Sequence, residues 1–340
     1  MTQSDRGSAI SKIIGSNLQR LSDQGQPFEP QAKMWVYEEM IAGRKLTDII
    51  NSEHENVKYL PGIKLPPNIV AEPDLVAAAK DATLLVFVVP HQFVHGICRS
   101  LLGNVHPHAR AISLIKGVDV ERQRGLHLIS SVIKEGLGGE MDVSVLMGAN
   151  LANEVAQEQF SEATIGCYND ANGEIFRQLL NTSYFRIRVI HDVHGVELCG
   201  ALKNVVALGA GFVDGLGMGE NTKAAVIRIG LDEMRRFCQL CHESVRDQTF
   251  FESCGVADLI TTCYGGRNRR VAEAKVRTGK PIDVLEAEML NGQKLQGPPT
   301  AMEIFNFLAA QGLEKDFPLF TAIYRICHEN LPPEHIVKDI

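Results

Sequence analysis

The 340-residue sequence has little of what marks several protein classes. It has one tryptophan, and its eight cysteines are too sparse for a small scaffold held together by disulfides. No segment approaches ~20 uninterrupted apolar residues, so we expect no helix that crosses a membrane. Lys and Arg number 34 against 41 Asp and Glu, and this excess of negative charge argues against nucleic-acid binding through a basic surface.

The first residues, Met1–Arg6, lack the apolar core of a secretory signal. We therefore expect a cytoplasmic protein whose thiols stay reduced. His106 and His108 stand alone in a predicted loop, and no other cluster has convincing ligand spacing, so no metal site is expected.

Helix and strand patterns alternate over about the first 190 residues. Apolar residues at spacings of three and four predict a helix over 8–21, and further helices are predicted over 73–80 and 126–137. Continuous apolar runs are typical of strands buried on both faces. The predicted strands are Met34–Tyr37, Leu84–Val89, Ala111–Ile115, Val143–Met147, Thr164–Tyr168 and Phe185–Ile190. This alternation predicts an α/β domain with a doubly wound parallel sheet.

The rest of the chain has a helical pattern. Predicted helices cover Val193–Val213, Lys223–Glu243 and Thr300–Gln311, and the last begins with a capping box formed by Thr300 and Glu303. We expect a Rossmann-like domain over residues 1–190 and an all-α domain over residues 191–340.

A lysine and an asparagine, Lys203 and Asn204, interrupt an otherwise apolar predicted helix. Either Lys203 lies at the edge of the core with its ammonium reaching water, or it serves a polar cleft in which a second cation lowers its pKa. Lys116 is the candidate second cation, because it follows a predicted strand at the end where open α/β sheets bind ligands. Taken alone, Lys116 is equally compatible with a solvated loop.

The stretch Ser253–Arg270 is the richest in polar groups among small apolar residues. Asp258 and Thr262 are four residues apart, so on a helix they share one face. They either orient a lysine or cap a helix end. Gly265 and Gly266 predict a tight turn with exposed N–H groups, after which Arg267 and Asn268 offer a charged fork and an amide that suit phosphate oxygens.

Two further readings of this region stay open. Arg269 and Arg270 are predicted to be solvated, and the whole turn is compatible with a solvated basic surface. The polar loop Asn291–Pro299, with Lys294 and Gln296, is either an active-site lid or an ordinary connector.

Together these stretches resemble the eukaryotic cytosolic NAD-dependent glycerol-3-phosphate dehydrogenases. The resemblance runs in order from Gly7 almost to the end of the chain. The matching strings are Val88–Phe93, Ser113–Gly117, Leu146–Asn150, Gly200–Asn204, Glu252–Arg270 and Asn291–Thr300.

The resemblance implies reversible hydride transfer from NADH to dihydroxyacetone phosphate, giving sn-glycerol 3-phosphate, by a homodimer. Lys203 matches the family's proton donor and Lys116 its second active-site lysine, with Asn204, Asp258 and Thr262 as polar neighbours. Substrate contacts are implied for Lys116, Arg267 and Asn268. NAD contacts are implied for Gly7, Tyr37, Phe93, Ala152, Arg267, Lys294 and Gln296.

The chain departs from this family at its start. Family members begin with an apolar strand and a Gly-x-Gly-x-x-Gly turn, of which this chain has only the last glycine, Gly7. The missing strand is normally central, so we expect a gap in the sheet and fewer backbone donors for the pyrophosphate. Two alternatives to the intact enzyme follow. One is a shortened form of it, and the other is a catalytically impaired relative that binds ligands and dimerises.

Overall fold

The computed structural model describes residues 4–121, 125–290, 292–338 and 340. Met1–Gln3 of the start that is expected to lack a secretory signal, and Asn291 of the polar loop Asn291–Pro299, lie outside these residues. The chain forms two compact units. Unit 1 comprises Met1–Ile115, Ile129–Leu146 and Asn150–Val193, and unit 2 comprises Lys116–Leu128, Met147–Ala149 and His194–Ile340.

The elements alternate in the first part of the chain and are helical in the second. The strands are β1 Ala32–Trp35, β2 Met40–Ile41, β3 Arg44–Lys45, β4 Ile69–Glu72, β5 Leu84–Phe87, β6 Arg110–Ser113, β7 Val118–Glu121, β8 Gly125–Leu128, β9 Val143–Met147, β10 Ser161–Gly166 and β11 Phe185–Ile190. The helices of unit 1 are α1 Asp5–Asp23, α2 Leu46–Glu53, α3 Leu75–Ala79, α4 Val94–Leu101, α5 Ile129–Gly136, α6 Ala152–Ala156 and α7 Asp170–Leu180.

The later helices are α8 Val193–Leu216, α9 Glu220–Cys241, α10 Asp258–Gly265, α11 Arg267–Thr278, α12 Ile282–Leu290, α13 Gly297–Ala309 and α14 Pro318–His328. Short 3₁₀ segments cover His91–Phe93, Asp247–Phe251, Glu314–Asp316 and Pro333–Val337, and Ser253–Ala257 forms a π-helical turn.

The strands of unit 1 form a divided sheet. Five strands lie in the order β11-β10-β9-β6-β5, while β1 pairs in parallel with β4 in a separate two-stranded sheet. The expected gap is therefore present, because β5 and β1 are edge strands in the part of the chain that the structure describes. The six predicted strands all exist; two have the predicted bounds, and the ends of the other four shift by a few residues.

Helices cover both faces of the five-stranded sheet, which confirms the doubly wound α/β prediction. Val86 and Val88 lie in one core with α1 and α7, whereas Leu85 and Phe87 lie in the other with α4 and α5. Successive residues of β5 point to opposite faces, which explains why its sequence is continuously apolar.

Unit 2 is built around α8. Among the described residues, α8 is the one helix long and apolar enough to cross a membrane, yet its most apolar stretch is completely buried inside the protein, as in a core helix. The carboxylate of Glu233 on α9 accepts the N–H groups of Leu319 and Phe320 at 2.9 and 2.8 Å, which ties α9 to the first turn of α14.

Two local predictions are wrong. Residues 126–128 are not helical, because β8 pairs antiparallel with β7 and the helix begins at Ile129. The capping box at Thr300 does not form, because α13 begins at Gly297 and places Thr300 inside the helix. Pro298 and Pro299 occupy the first turn, where proline's fixed φ suits a helix and its missing N–H costs nothing.

Candidate active site

Two lysines share one buried carboxylate in unit 2. Lys116 Nζ lies 2.9 Å from Asp258 Oδ2, and Lys203 Nζ bonds Asp258 Oδ1. Lys203 Nζ also donates to Thr262 Oγ1 at 2.8 Å. Asp258 and Thr262 share one face of α10, as their spacing predicts. The structure thus brings together four predicted site residues.

The two lysines reach this carboxylate from different elements. Lys203 projects from the core helix α8 and its side chain is only 6% exposed, so it does not extend to water as a boundary lysine would. Lys116 follows β6 and is 21% exposed, and its Nζ also lies 3.3 Å from the carbonyl oxygen of Gly148. The solvated-loop reading of Lys116 is therefore wrong.

The cluster has a net positive charge. Burial by itself raises the pKa of the Asp258 carboxyl, but the charges and hydrogen bonds of Lys116 and Lys203 outweigh burial and hold that pKa below its usual value. One carboxylate therefore stays ionised beside two ammonium groups. The surplus positive charge favours an anion, or an oxygen on which negative charge develops.

Asn204 and Asn268 form a second polar chain. Asn268 Nδ2 donates to Asn204 Oδ1 at 3.0 Å, and Asn268 Oδ1 accepts the N–H of Gly297 at 2.9 Å. A Cβ atom on Gly297 would lie 2.6 Å from Asn268 Oδ1, so only glycine allows this approach. Both amides are buried and oriented by fixed partners rather than by solvent.

The predicted glycine turn differs from the structure. Gly266 is the N-cap of α11 with an ordinary φ of −69°, and its N–H donates to Thr262 O, so it does not offer an exposed donor. Arg267 and Asn268 instead occupy the first turn of α11. The N-cap residue of this helix, Gly266, makes no side-chain capping hydrogen bond. Arg267 is exposed, and its Nη1 donates to Gln293 Oε1 at 2.6 Å.

Arg269 is not a solvated residue as predicted. Its guanidinium pairs with Asp214 at 2.6 Å and with Glu273 at 2.8 Å. Asp214 also binds Lys223 at 2.9 Å, so Arg269 fastens the start of α11 to an acidic residue of α8. Arg267 and Arg270 are the exposed arginines of the first turn of α11, as predicted for Arg270.

The predicted loop with Lys294 and Gln296 is anchored by a residue that the sequence did not single out. Glu286 is buried on α12, and its carboxylate accepts the Leu295 N–H at 2.8 Å and the Lys294 ammonium at 2.7 Å. Gln296 is the N-cap residue of α13. The segment is therefore an ordered connector whose Lys294 side chain is 74% exposed.

The predicted cofactor residues of unit 1 lie after strands or at a helix start. Gly7 is in the first turn of α1, and its N–H donates to Ser4 Oγ at 3.0 Å. Tyr37 and Phe93 are 68% and 56% exposed and follow β1 and β5. Ala152 begins α6, after β9.

Asn150 provides an independent sign that a polar ligand fits at the carboxyl end of β9. Its Oδ1 accepts from Arg6 Nη2 at 3.0 Å, which places the start of α1 beside it. Its buried Nδ2 has no hydrogen-bond partner among the described residues. A buried donor without an acceptor is costly, so ligand oxygens suit this position and the residues of unit 1 fit a dinucleotide.

Two contacts that the sequence did not reveal also shape the site. One is the contact of the Gly148 carbonyl oxygen with Lys116 described above, and the other is made by Ser253. Ser253 Oγ lies 3.3 Å from the Ala149 amide nitrogen, and it begins the π-helical turn that leads into Asp258. π-helical turns are frequent at functional sites. No residue pattern of the stretch predicts this turn.

Comparison with known proteins gives one consistent family. Residues 6–173 match the family model "NAD-dependent glycerol-3-phosphate dehydrogenase N-terminus", and residues 192–338 match the corresponding "C-terminus" model. The chain is similar to "glycerol-3-phosphate dehydrogenase [NAD(+)], cytoplasmic" of Bos taurus, with 59% identity over 342 residues that cover 97% of this chain and 96% of that protein. The protein of the same name from Homo sapiens is 61% identical over 327 residues, covering 96% of this chain and 92% of that protein.

A solved structure agrees. The glycerol-3-phosphate dehydrogenase of Plasmodium falciparum superimposes with a TM-score of 0.93 at 38% identity, and the match covers 100% of this chain and 93% of that chain.

Proposed function

The chain belongs to the NAD-dependent glycerol-3-phosphate dehydrogenase family, and we propose that its Lys116–Asp258–Lys203 cluster carries the proton transfer of that reaction. The protein is an NAD-dependent oxidoreductase, and like the relatives named above it is cytoplasmic. The reaction is the reversible reduction of dihydroxyacetone phosphate to sn-glycerol 3-phosphate.

The observation that carries this assignment is a buried carboxylate held by two ammonium groups. When a hydride reaches the carbonyl carbon of a ketone, negative charge builds on its oxygen. The Lys203 ammonium stabilises that oxygen and protonates it, and in the reverse direction Lys203 Nζ takes the proton back. Asp258 and Thr262 fix the direction of Nζ, while Lys116 adds positive charge.

The substrate phosphate is assigned to the start of α11. Its first-turn N–H groups carry the positive end of the helix dipole, and Arg267 adds a planar guanidinium. Asn268 is held by Asn204 and Gly297, so it presents its remaining amide N–H in a fixed direction. A phosphate gripped here fixes the distant carbonyl for reaction.

The cofactor contacts that the family resemblance implies are proposed for each unit by itself. The reduced cofactor, NADH, would supply the hydride that the reduction requires when it is bound. In unit 1, Asn150 Nδ2 offers a donor to it, Tyr37 and Phe93 offer aromatic faces, and contacts of Gly7 and Ala152 are proposed on the family resemblance. The N–H of Gly7 already binds Ser4 Oγ, so it is not available to a pyrophosphate. In unit 2, the corresponding residues are Arg267, Lys294 and Gln296.

Turnover tests this proposal. Purified protein should oxidise NADH only when dihydroxyacetone phosphate is added, and Lys203→Met should abolish that rate. Lys223→Met is the matched control, because Lys223 is equally buried and ion-paired but bonds Asp214 rather than Asp258. Equal loss in both variants would mean that the cluster serves stability and not chemistry.

A homodimer is proposed on the family resemblance. Sedimentation equilibrium should give twice the 37.4 kDa of one chain. A monomer mass at micromolar concentration would contradict the proposal.

A further inference from the structure

The carboxyl ends of β10 and β11 meet at one edge of the five-stranded sheet in unit 1. The two strands pair in parallel, with Gly166 opposite Ile190 as the last pair in register, and the Cys167 N–H donates to Ile190 O at 3.0 Å. Cys167 and His191 directly follow these strands, so parallel pairing brings them side by side. The sequence pattern does not reveal this pair, because α7 separates the two residues along the chain.

An aspartate at the start of α7 joins these two residues. Asp170 is the first residue of α7, and its Oδ1 lies 2.5 Å from His191 Nε2. A carboxylate oxygen of Asp170, the Cys167 sulfur and a ring nitrogen of His191 all lie within 4.8 Å of one another. The ligand atoms of one tetrahedral ion stand about 3–4 Å apart, given metal–ligand bonds of about 2.0–2.3 Å. The side chains of His191 and Asp170 are 45% and 81% exposed, so small rotations bring the three atoms to that spacing.

A glycine lets the first turn of α7 approach the Cys167 sulfur closely. A Cβ atom on Gly173 would lie 2.6 Å from this sulfur and 2.7 Å from a side-chain carbon of Val189, so a larger residue would force them apart. The close approach places the sulfur beside the positive end of the helix dipole, which stabilises a thiolate. The thiolate, and not the thiol, is the form that binds a metal ion.

The charges around Cys167 attract a cation. Burial and the charges of Asp170 and Asp142 raise the pKa of the Cys167 thiol to about 11, and a backbone hydrogen bond from Gly173 opposes this rise. The same two carboxylates favour a divalent ion at this place. When such an ion binds, it replaces the thiol proton, which passes to water.

The three donor atoms determine which kind of ion fits. Thiolate sulfur and imidazole nitrogen are ligands of zinc and similar transition-metal ions, whereas Ca²⁺ and Mg²⁺ take oxygen ligands. Three protein ligands leave the fourth position of a tetrahedral ion to water, which reaches it from the exposed side of Asp170 and His191. In the described part of the chain, no other group of three such side chains lies this close together.

We propose that Cys167, Asp170 and His191, here called the strand-end cluster, bind one zinc-type divalent ion. The ion takes the place of the direct contact between Asp170 and His191 and connects the end of β11 to the start of α7. β11 is an edge strand of the described sheet, and α7 packs against it. Because the ion binds the folded chain, it stabilises unit 1.

Co²⁺ alone is the probe, because a thiolate bound to Co²⁺ gives a charge-transfer band in the near ultraviolet. The test titrates Co²⁺ into the reduced, EDTA-treated full-length protein without substrate or NADH. We expect saturable binding of one Co²⁺ per chain with this band, loss of the band when Zn²⁺ is added, and a higher melting temperature with Zn²⁺. No saturable binding, or binding without the band, would overturn the proposal. Turnover is not measured, so failure here is distinguishable from failure of the catalytic proposal.

Three variants test the position of the ion. Cys167→Ser should remove the charge-transfer band, and His191→Gln, which changes an exposed side chain, should weaken Co²⁺ binding about tenfold or more. Cys241→Ser is the matched control, because Cys241 is directly followed by a histidine but lies outside the strand-end cluster. The control should bind Co²⁺ as the unmodified chain does.

The variants also contain the results that would contradict the assigned site. These are a band that persists in Cys167→Ser, unchanged affinity in His191→Gln, or a band lost in Cys241→Ser. Circular dichroism verifies folding, and if Cys167→Ser does not fold, the affinity of His191→Gln decides between binding at this cluster and binding elsewhere.

Discussion

Replacing Lys203 by methionine tests the chemistry of the cluster with little change in volume. The variant removes the ammonium that bonds Asp258 and Thr262. Asp258 keeps Lys116 at 2.9 Å, and Thr262 Oγ1 still donates to Asp258 O at 2.6 Å. No charge is left buried without a partner, so we expect the free energy of unfolding to fall by only about 1–3 kcal/mol.

The effect on rate should be much larger. A positioned general acid contributes ~10²–10⁴-fold, and the same Nζ also stabilises the developing alkoxide. We therefore expect kcat to fall by about 10³-fold or more, which corresponds to about 4 kcal/mol in the barrier. Lys116→Met should cost less, about 10–10²-fold, because Lys116 is more exposed and contributes charge rather than the proton.

The assay is steady-state oxidation of NADH with dihydroxyacetone phosphate, with folding checked by denaturant titration. KM for NADH should change less than about threefold, since Lys203 holds no assigned cofactor group. A kcat within tenfold of the unmodified chain, or a Lys116→Met variant slower than Lys203→Met, would refute the assignment of the proton to Lys203.

Three further substitutions test other contacts of unit 2. Asp258→Asn leaves the buried Lys203 beside a second cation, Lys116, without the carboxylate between them. Denaturant titration at neutral pH should therefore show that the free energy of unfolding falls by about 3–5 kcal/mol. The pKa of Asp258 is lowered in the folded state, so its stabilisation is present at neutral pH and is lost as the pH falls through that pKa. The Asp258→Asn variant should therefore lose less folding stability on acidification than the unmodified chain. An unchanged dependence of stability on acid pH would contradict this. In Gly297→Ala the added Cβ atom collides with Asn268 Oδ1 and displaces the Asn268 amide. KM for dihydroxyacetone phosphate should therefore rise about tenfold while KM for NADH stays unchanged. Equal rises in both KM values would mean that the substitution disturbs the fold rather than the phosphate contact. Burial raises the pKa of Glu233 from 4.5 to about 7, so folding stability should fall as the pH rises from 4.5 to 7. The Glu233→Gln variant should lack this dependence of stability on pH. An identical dependence in the variant would mean that another group causes it.

The fold was readable from the sequence where local pattern and tertiary environment agree. The continuous apolar runs at Val143–Met147 and Phe185–Ile190 became strands with those same bounds. The helix predicted over 126–137 starts late, because pairing between β7 and β8 decides the first residues and periodicity does not report on pairing.

The candidate site was readable to the extent that polar residues interrupt apolar surroundings. Lys203, Asp258 and Thr262 stand out in this way, and Lys116 stands out by its place after a strand. Glu286 could not be found by such reasoning, because its role depends on contacts with backbone groups of a neighbouring segment. Only the folded chain shows these contacts.

The most direct test of the account is turnover by the unmodified chain at saturating NADH. We expect oxidation of NADH that depends on dihydroxyacetone phosphate and yields one sn-glycerol 3-phosphate for each NADH consumed. Protein that binds both NADH and dihydroxyacetone phosphate but shows no substrate-dependent oxidation would contradict the claim that the Lys116–Asp258–Lys203 cluster is a working proton-transfer site.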